Sequence, residues 1–143
     1  DQLIADAFQR TIPDETTRQA LVKARVGQGR WRQDLLRFWS GKCAVTGLAI
    51  EPLLRASHVK PWRDSDNSER LDVHNGLLLG PAYDAPFDAG FITLNVDRTI
   101  FVSGQLPADQ RSAAGIEATA MLRSLRDEHR AYLEHHRANI YKV

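Results

Sequence analysis

A histidine closes a short, largely apolar stretch, Leu54-Arg55-Ala56-Ser57-His58-Val59. Asn75-Gly76 follows seventeen residues after the histidine, and two carboxylates four apart, Asp84 and Asp88, come next. On a helix, positions four apart lie one above the other, so both carboxylates can be aimed at one point in space. Two acids placed that way repel each other unless a positive charge lies between them. Hard oxygen ligands suit Mg²⁺ or Mn²⁺ better than softer metals. The plainer alternative is that one aspartate caps a helix while the other meets an arginine. A neutral imidazole at position 58 could take a proton from water near physiological pH, or it could be a satisfied structural residue. Arg55, Lys60 and Arg63 around it suit a phosphate, although Arg55 would serve equally as an ion-pair partner for the acidic loop that follows. Asn75-Gly76 reads as a turn, or as an amide that ties the loop down and orients His58. One base, one brace and two acids are the parts needed to cut a phosphodiester bond with a single metal ion.

Several elements must position these groups. Leu3, Ile4, Ala7 and Phe8 follow helical spacing, so the first ten residues are expected to form a short helix that Pro13 ends. Asp14-Glu15-Thr16-Thr17 supplies caps for a second helix to about Arg25, with Ala20, Leu21 and Ala24 inward. Gly27-Gln28-Gly29 is expected to end it, and another helix to run from Arg30 to Trp39 with Trp31, Leu35, Phe38 and Trp39 on its core face. Thr46-Gly47 reads as a turn, Pro52 to Val59 as a strand, Arg63 to Asn75 as a long polar loop, and Leu77-Leu78-Leu79 as a short buried strand. A helix of about two turns from Ala82 to Ala89 carries both aspartates; Pro81 opens it, Gly90 closes it and Pro86 threatens its regularity. Phe91 to Leu94 and Thr99 to Val102 flank Asn95-Val96-Asp97-Arg98 as a hairpin. Pro107 to Ala114 reads as a short helix or turn. The tail, roughly Ile116 to Asn139, is helical in pattern, with Leu122, Leu125, Tyr132 and Leu133 as anchors. This order argues for an α+β domain rather than a wound parallel sheet.

At 143 residues the chain fits one domain. Its 43% apolar content supports a core, and no apolar run approaches the roughly 20 residues needed to cross a bilayer. The segment Asp1-Gln2-Leu3-Ile4 lacks the basic and apolar regions of a signal sequence. A single cysteine, Cys43, allows no intrachain disulfide, which fits a reducing compartment. A cytoplasmic location is therefore expected, with no membrane partner. The net charge of +1 hides an asymmetry: seven basic residues against Asp34 between Arg18 and Lys42, and four acids against Arg70 between Asp64 and Asp72. A basic block beside an acidic loop points to a polyanion on one face, unless it is only a solvated helix.

The ordered motifs resemble one branch of the HNH endonucleases, which have the ββα-metal fold. They are Gly27 to Arg32 (Gly-Gln-Gly-Arg-Trp-Arg), Cys43 to Gly47 (Cys-Ala-Val-Thr-Gly), Arg55 to Trp62 (Arg-Ala-Ser-His-Val-Lys-Pro-Trp), Asn75 to Leu79, and Tyr83 to Gly90 (Tyr-Asp-Ala-Pro-Phe-Asp-Ala-Gly). The likeness extends to the tail from Tyr132 to Arg137 and covers most of the chain beyond the first fifteen or so residues. It implies a ββα-metal core and hairpin over 42–103, a helical basic part over 1–41 and a helical C-terminal part over 104–143. It makes His58 the general base and Asn75 the middle residue that braces the loop. Asp84 stands nine residues after that asparagine, where the final histidine is expected, and Asp88 at a further ligand position one turn on.

Three departures refine what the resemblance implies. Aspartate at the third position moves the expected metal toward Mg²⁺ or Mn²⁺ and away from Zn²⁺ or Ni²⁺. Ser57 occupies the place where many members carry a metal-ligating Asp or His, so Asp84, Asp88, waters and substrate phosphate would complete the coordination. Cys43 has Thr46 where zinc-stabilised relatives have a second cysteine, so no structural zinc is expected. His74, His129, His135 and His136 lack ligand spacing, and the last three read as groups on a basic helix near DNA. The implied activity is metal-dependent hydrolysis of DNA, duplex above all, in restriction or phage defence. Arg55 would hold the phosphate and Arg25, Gln28, Arg30, Arg32, Lys60 and Arg63 the backbone. A separate reader domain or a homodimer is compatible with this reading. The alternatives are a non-catalytic nucleic-acid-binding module with the same fold, and an RNase or toxin nuclease.

Overall fold

The computed structural model describes residues 14–143; the short helix expected over the first ten residues lies outside them. The fold is α+β: helices surround two separate two-stranded antiparallel sheets. Helix α1, Glu15–Phe38, opens the described part, its first turn capped by the Asp14 carboxylate, which accepts from the Thr17 N–H at 2.8 Å. One continuous helix replaces the two that Gly27 and Gly29 suggested. Glycine costs a helix interior about 1 kcal/mol relative to alanine, but here packing wins. A side chain at Gly27 would meet Leu71 at 3.1 Å, so its absence lets a neighbouring helix press close. Trp31, Leu35 and Trp39 enter the core as expected of their spacing and Phe38 is half-buried at its edge; Leu36 is buried as well, and Ala20 is exposed rather than inward.

Strand β1, Arg55–His58, pairs antiparallel with β2, Gly76–Leu79, placing Ser57 opposite Leu77 and His58 opposite Gly76. Strand β1 is shorter than the sequence suggests, because Glu51–Leu53 forms a 3₁₀ turn. Between the strands the chain is not an unstructured loop. It makes a turn at Trp62–Asp64, a short helix α2 at Asn67–Leu71, and a second turn at Val73–Asn75. Asp66 and Glu69 cap α2 reciprocally, Glu69 N–H to the Asp66 carboxylate at 2.8 Å and Asp66 N–H to the Glu69 carboxylate at 2.9 Å. Helix α3, Pro81–Asp88, follows β2 and completes a ββα unit. Pro86 lies inside it, so the Ala82 carbonyl lacks its usual intrahelical donor.

The hairpin β3, Ile92–Leu94, with β4, Ile100–Val102, has the expected turn residues; Arg98 takes a left-handed conformation there (φ 74°). After a single helical turn α4 at Ala108–Arg111, the tail departs from its helical pattern. Leu122 N–H donates to the Arg98 carbonyl and Arg123 N–H to that of Ala44, which draws this part of the tail onto neighbouring segments, and helix returns only with a 3₁₀ turn at Asp127–His129 and α5, Arg130–Asn139. Cys43 is wholly buried, its Sγ accepting from the N–H groups of Gly80 (3.3 Å) and Thr46 (3.4 Å). Among the described residues no helix is long and apolar enough to cross a membrane.

His129 and His136 do not project from a basic face; both are buried in the core. His136 stacks on Phe87, donates Nε2–H to the Phe87 carbonyl at 2.8 Å and accepts from Thr93 Oγ1 at Nδ1, 2.7 Å away. A carbonyl can only accept, so the neutral imidazole satisfies both partners. Burial pulls its pKa from 6.5 to about 4. The unfolded chain therefore binds this proton more readily than the folded one. The contribution is fully present above pH 6.5 and is lost as the pH falls toward 4, reaching a loss of about 2 kcal/mol near pH 5. Urea unfolding at pH 7 and pH 5 checks this: the difference between the two pH values is expected to shrink by most of that amount in His136→Gln.

Candidate functional site

The ββα unit brings the sequence-selected groups to the two faces of β1. Successive strand residues point to opposite sides. Ser57, 5% exposed, turns toward α3, where its hydroxyl favours the ionised form of the Asp84 carboxylate. Burial pushes the Asp84 carboxyl up from its ordinary value and the charge of Asp88 adds to this, while the Ser57 hydroxyl and the Arg55 guanidinium oppose it. The two aspartates therefore sense each other, as their spacing on a helix requires. Asp88 and Arg55 are exposed and Asp84 is half-buried.

His58 faces the other side. Its ring lies flat on Trp31, with centroids 3.7 Å apart and planes 7° from parallel, and Trp62 meets it edge-on at 6.0 Å. Its Nε2 stands 3.0 Å from the Arg70 carbonyl oxygen. Because that oxygen only accepts, Nε2 must carry the hydrogen and Nδ1 is left with a free lone pair in the neutral ring. Burial draws the pKa down to about 4, so the ring is neutral at physiological pH. No hydrogen bond among the described residues joins His58 to Asp84 or Asp88.

Asn75 is the best-connected polar side chain of the site, and it is 0% exposed. Its Oδ1 accepts from Lys60 N–H at 2.8 Å, and its Nδ2 donates to the carbonyl oxygens of Glu69 (3.0 Å) and Lys60 (3.4 Å) and to Ser65 Oγ (3.4 Å). It thus ties both ends of the segment that carries the Arg70 carbonyl. Gly76 is extended rather than at the corner of a turn (φ −157°), so Asn75-Gly76 is not a hairpin loop. Gly76 instead makes room: a Cβ there would stand 2.6 Å from Trp31 Cζ2 and 3.0 Å from Leu35 Cδ1. Gly76→Ala is expected to cost about 1–3 kcal/mol by overpacking, read as a lower urea midpoint with altered near-ultraviolet dichroism from Trp31. An unchanged midpoint would contradict this close approach.

The basic residues divide into two groups. Arg30 and Arg63 are exposed and make no hydrogen bond or ion pair among the described residues; Arg25 also lies on the exposed face of α1, and Gln28 is half-buried. Arg32 instead clamps α1 to the turn before β1, donating Nη1–H to the Leu54 carbonyl at 3.0 Å and Nη2–H to that of Glu51 at 3.3 Å. Lys60 pairs with Glu69 at 2.8 Å. Sequence reasoning took Trp31 for core alone, and no residue pattern pointed to the Arg70 carbonyl.

Among the described residues no group of three or more His, Cys, Asp or Glu converges as a metal-holding cluster. The donor set that remains, Asp84 and Asp88, is two hard carboxylates. Mg²⁺ is commonly held by one or two carboxylates, with waters and substrate phosphate completing the octahedron, so these residues fit that ion. Residues 43–95 match the family model described as HNH endonuclease. A comparison with curated proteins gave no match.

Proposed function

We propose, for a chain whose residues 43–95 belong to the HNH endonuclease family, that it hydrolyses DNA phosphodiester bonds with His58 as general base. The observation that carries this reading is the Nε2–H bond to the Arg70 carbonyl, which leaves Nδ1 as a proton acceptor on a neutral ring. Asn75 holds the segment that supplies that carbonyl. Arg55, exposed beside Asp84, is suited to hold a non-bridging phosphate oxygen. Asp84 and Asp88 would hold the divalent cation, with the Ser57 hydroxyl favouring the ionised form of Asp84. When bound, such a cation neutralises charge on the phosphate and on the departing 3′ oxygen. His58 is the last residue of β1 and faces away from Asp84, so this reading places the phosphate at the end of that strand, where water deprotonated by His58 attacks phosphorus in line and leaves 5′-phosphate and 3′-hydroxyl ends. Arg30 and Arg63, with Arg25, supply sequence-neutral affinity that weakens with salt. Mg²⁺ or Mn²⁺ is the metal of this reading, the cytoplasm its compartment, and restriction or phage defence its setting.

Relaxation of a supercoiled plasmid in Mg²⁺ or Mn²⁺, with an EDTA control, tests the activity. Duplex DNA, single-stranded DNA and RNA as parallel substrates separate a DNase from an RNase or toxin nuclease. Asp88→Asn is expected to lose metal affinity by calorimetry and at least tenfold in nicking rate; full retention of both would remove Asp88 from the ligand set. A second reading, a nucleic-acid-binding module without catalysis, draws on the two-carboxylate donor set and on His58 and Asp84 lying on opposite faces of β1. Tight DNA binding with no metal-dependent nicking would favour it.

A further inference from the structure

We propose that Trp31 is a positioning residue for His58, so that a helix outside the family-matched segment builds one wall of the active site; its catalytic consequence rests on the nuclease reading above. An imidazole held by one hydrogen bond can still swing about the line from Nε2 to its acceptor. The indole lying 3.7 Å from the ring and 7° from parallel blocks that swing, and Nδ1 then points in one direction. A flat contact at that separation leaves the imidazole no room to tilt toward the indole.

The indole is itself fixed. Trp31 Nε1–H donates to the Asp72 carbonyl at 2.9 Å. The Asp72 carboxylate in turn accepts from Tyr132 Oη at 2.7 Å and from His74 N–H at 2.9 Å, so α5 anchors the residue that holds the indole. Along its edge the indole fills the space left by Gly76, the register partner of His58. Helix, strand pair and imidazole therefore close on one another. Trp31 is only 2% exposed and is closed to a substrate base. A positioning role then acts on kcat and leaves KM in place, because misplacing a reacting group by about 1 Å can cost roughly 100-fold.

Trp31→Leu keeps an apolar side chain without a flat face, and Trp31→Phe keeps the face. Two readouts apply to each folded protein: the His58 tautomer from long-range ¹H–¹⁵N NMR without metal or DNA, and kcat and KM for plasmid nicking in Mn²⁺. The parent is expected to show a single Nε2–H tautomer. Trp31→Leu should show mixed tautomers, with kcat down about 10- to 100-fold and KM within about twofold; Trp31→Phe should recover the tautomer and most of kcat. A parent with mixed tautomers, or a Trp31→Leu protein with the parent's tautomer and kcat, would overturn the proposal. If Trp31→Leu does not fold, a folded Trp31→Phe protein with mixed tautomers overturns it equally. A parent that never nicks DNA defeats the nuclease reading alone, since the tautomer still decides whether Trp31 orients the ring.

Discussion

A His58→Ala protein is expected to bind duplex DNA as the parent does and to nick it about 10²–10⁴-fold more slowly, the usual worth of a positioned general base. The separation follows from placement. His58 is half-buried between Trp31 and the Arg70 carbonyl, whereas the exposed cations Arg30 and Arg63 lie on other segments. Removing the imidazole therefore deletes the proton acceptor while the surface that attracts phosphate stays. Gel-shift titration at two salt concentrations, beside plasmid nicking, measures both halves. Nicking at the parent's rate would end the assignment of His58. The lost stack also exposes the Trp31 face, so a modest fall in urea midpoint is expected with the loss of activity.

Asn75→Ala is expected to lose about 3 kcal/mol of stability, and most of the activity with it. The alanine leaves the part-buried Lys60 N–H and Glu69 carbonyl without their partner, and an orphaned buried group costs about 1–3 kcal/mol. Asn75→Asp would keep the acceptor for Lys60 N–H but set a buried carboxylate oxygen against the Glu69 and Lys60 carbonyls, so it is expected to be no more stable than the alanine protein. Urea denaturation of the three proteins tests the order, and equal stability of alanine and parent would show that the brace carries no strain. The damage reaches the site because Glu69 and Arg70 are consecutive: loosening one carbonyl releases the next, which holds His58 Nε2.

Much of this arrangement was legible in the residues. The buried run Leu77 to Leu79, the helix bearing Asp84 and Asp88, the hairpin around Asn95 to Arg98 and the core tryptophans follow from short-range pattern, and each stands in the structure. What was not legible depends on partners remote in sequence. Gly27 and Gly29 are helix breakers by propensity, yet α1 continues through both, and Leu71 packs against the bare backbone at Gly27. Residues around Leu122 have helical spacing, but the Arg98 and Ala44 carbonyls claim the N–H groups of Leu122 and Arg123. His136 stands in a polar, basic run of sequence, yet Phe87 and Thr93 enclose it. The capping box of α2 was readable, since Asp66 and Glu69 have its spacing, but the polar composition around it concealed it. In the site, residue types pointed to His58, Asn75 and the aspartates. The flat contact with Trp31 comes from a helix more than twenty residues upstream and leaves no local signature.

The shielding of Cys43 has a practical side. It is the chain's one cysteine, and its sulphur is enclosed completely, between two backbone N–H donors. The folded protein is thus silent toward maleimides, and a cysteine introduced at exposed Arg63 would be the sole reactive handle. A fluorophore or spin label placed there would report, against no background, how near a DNA end comes to the turn beyond His58.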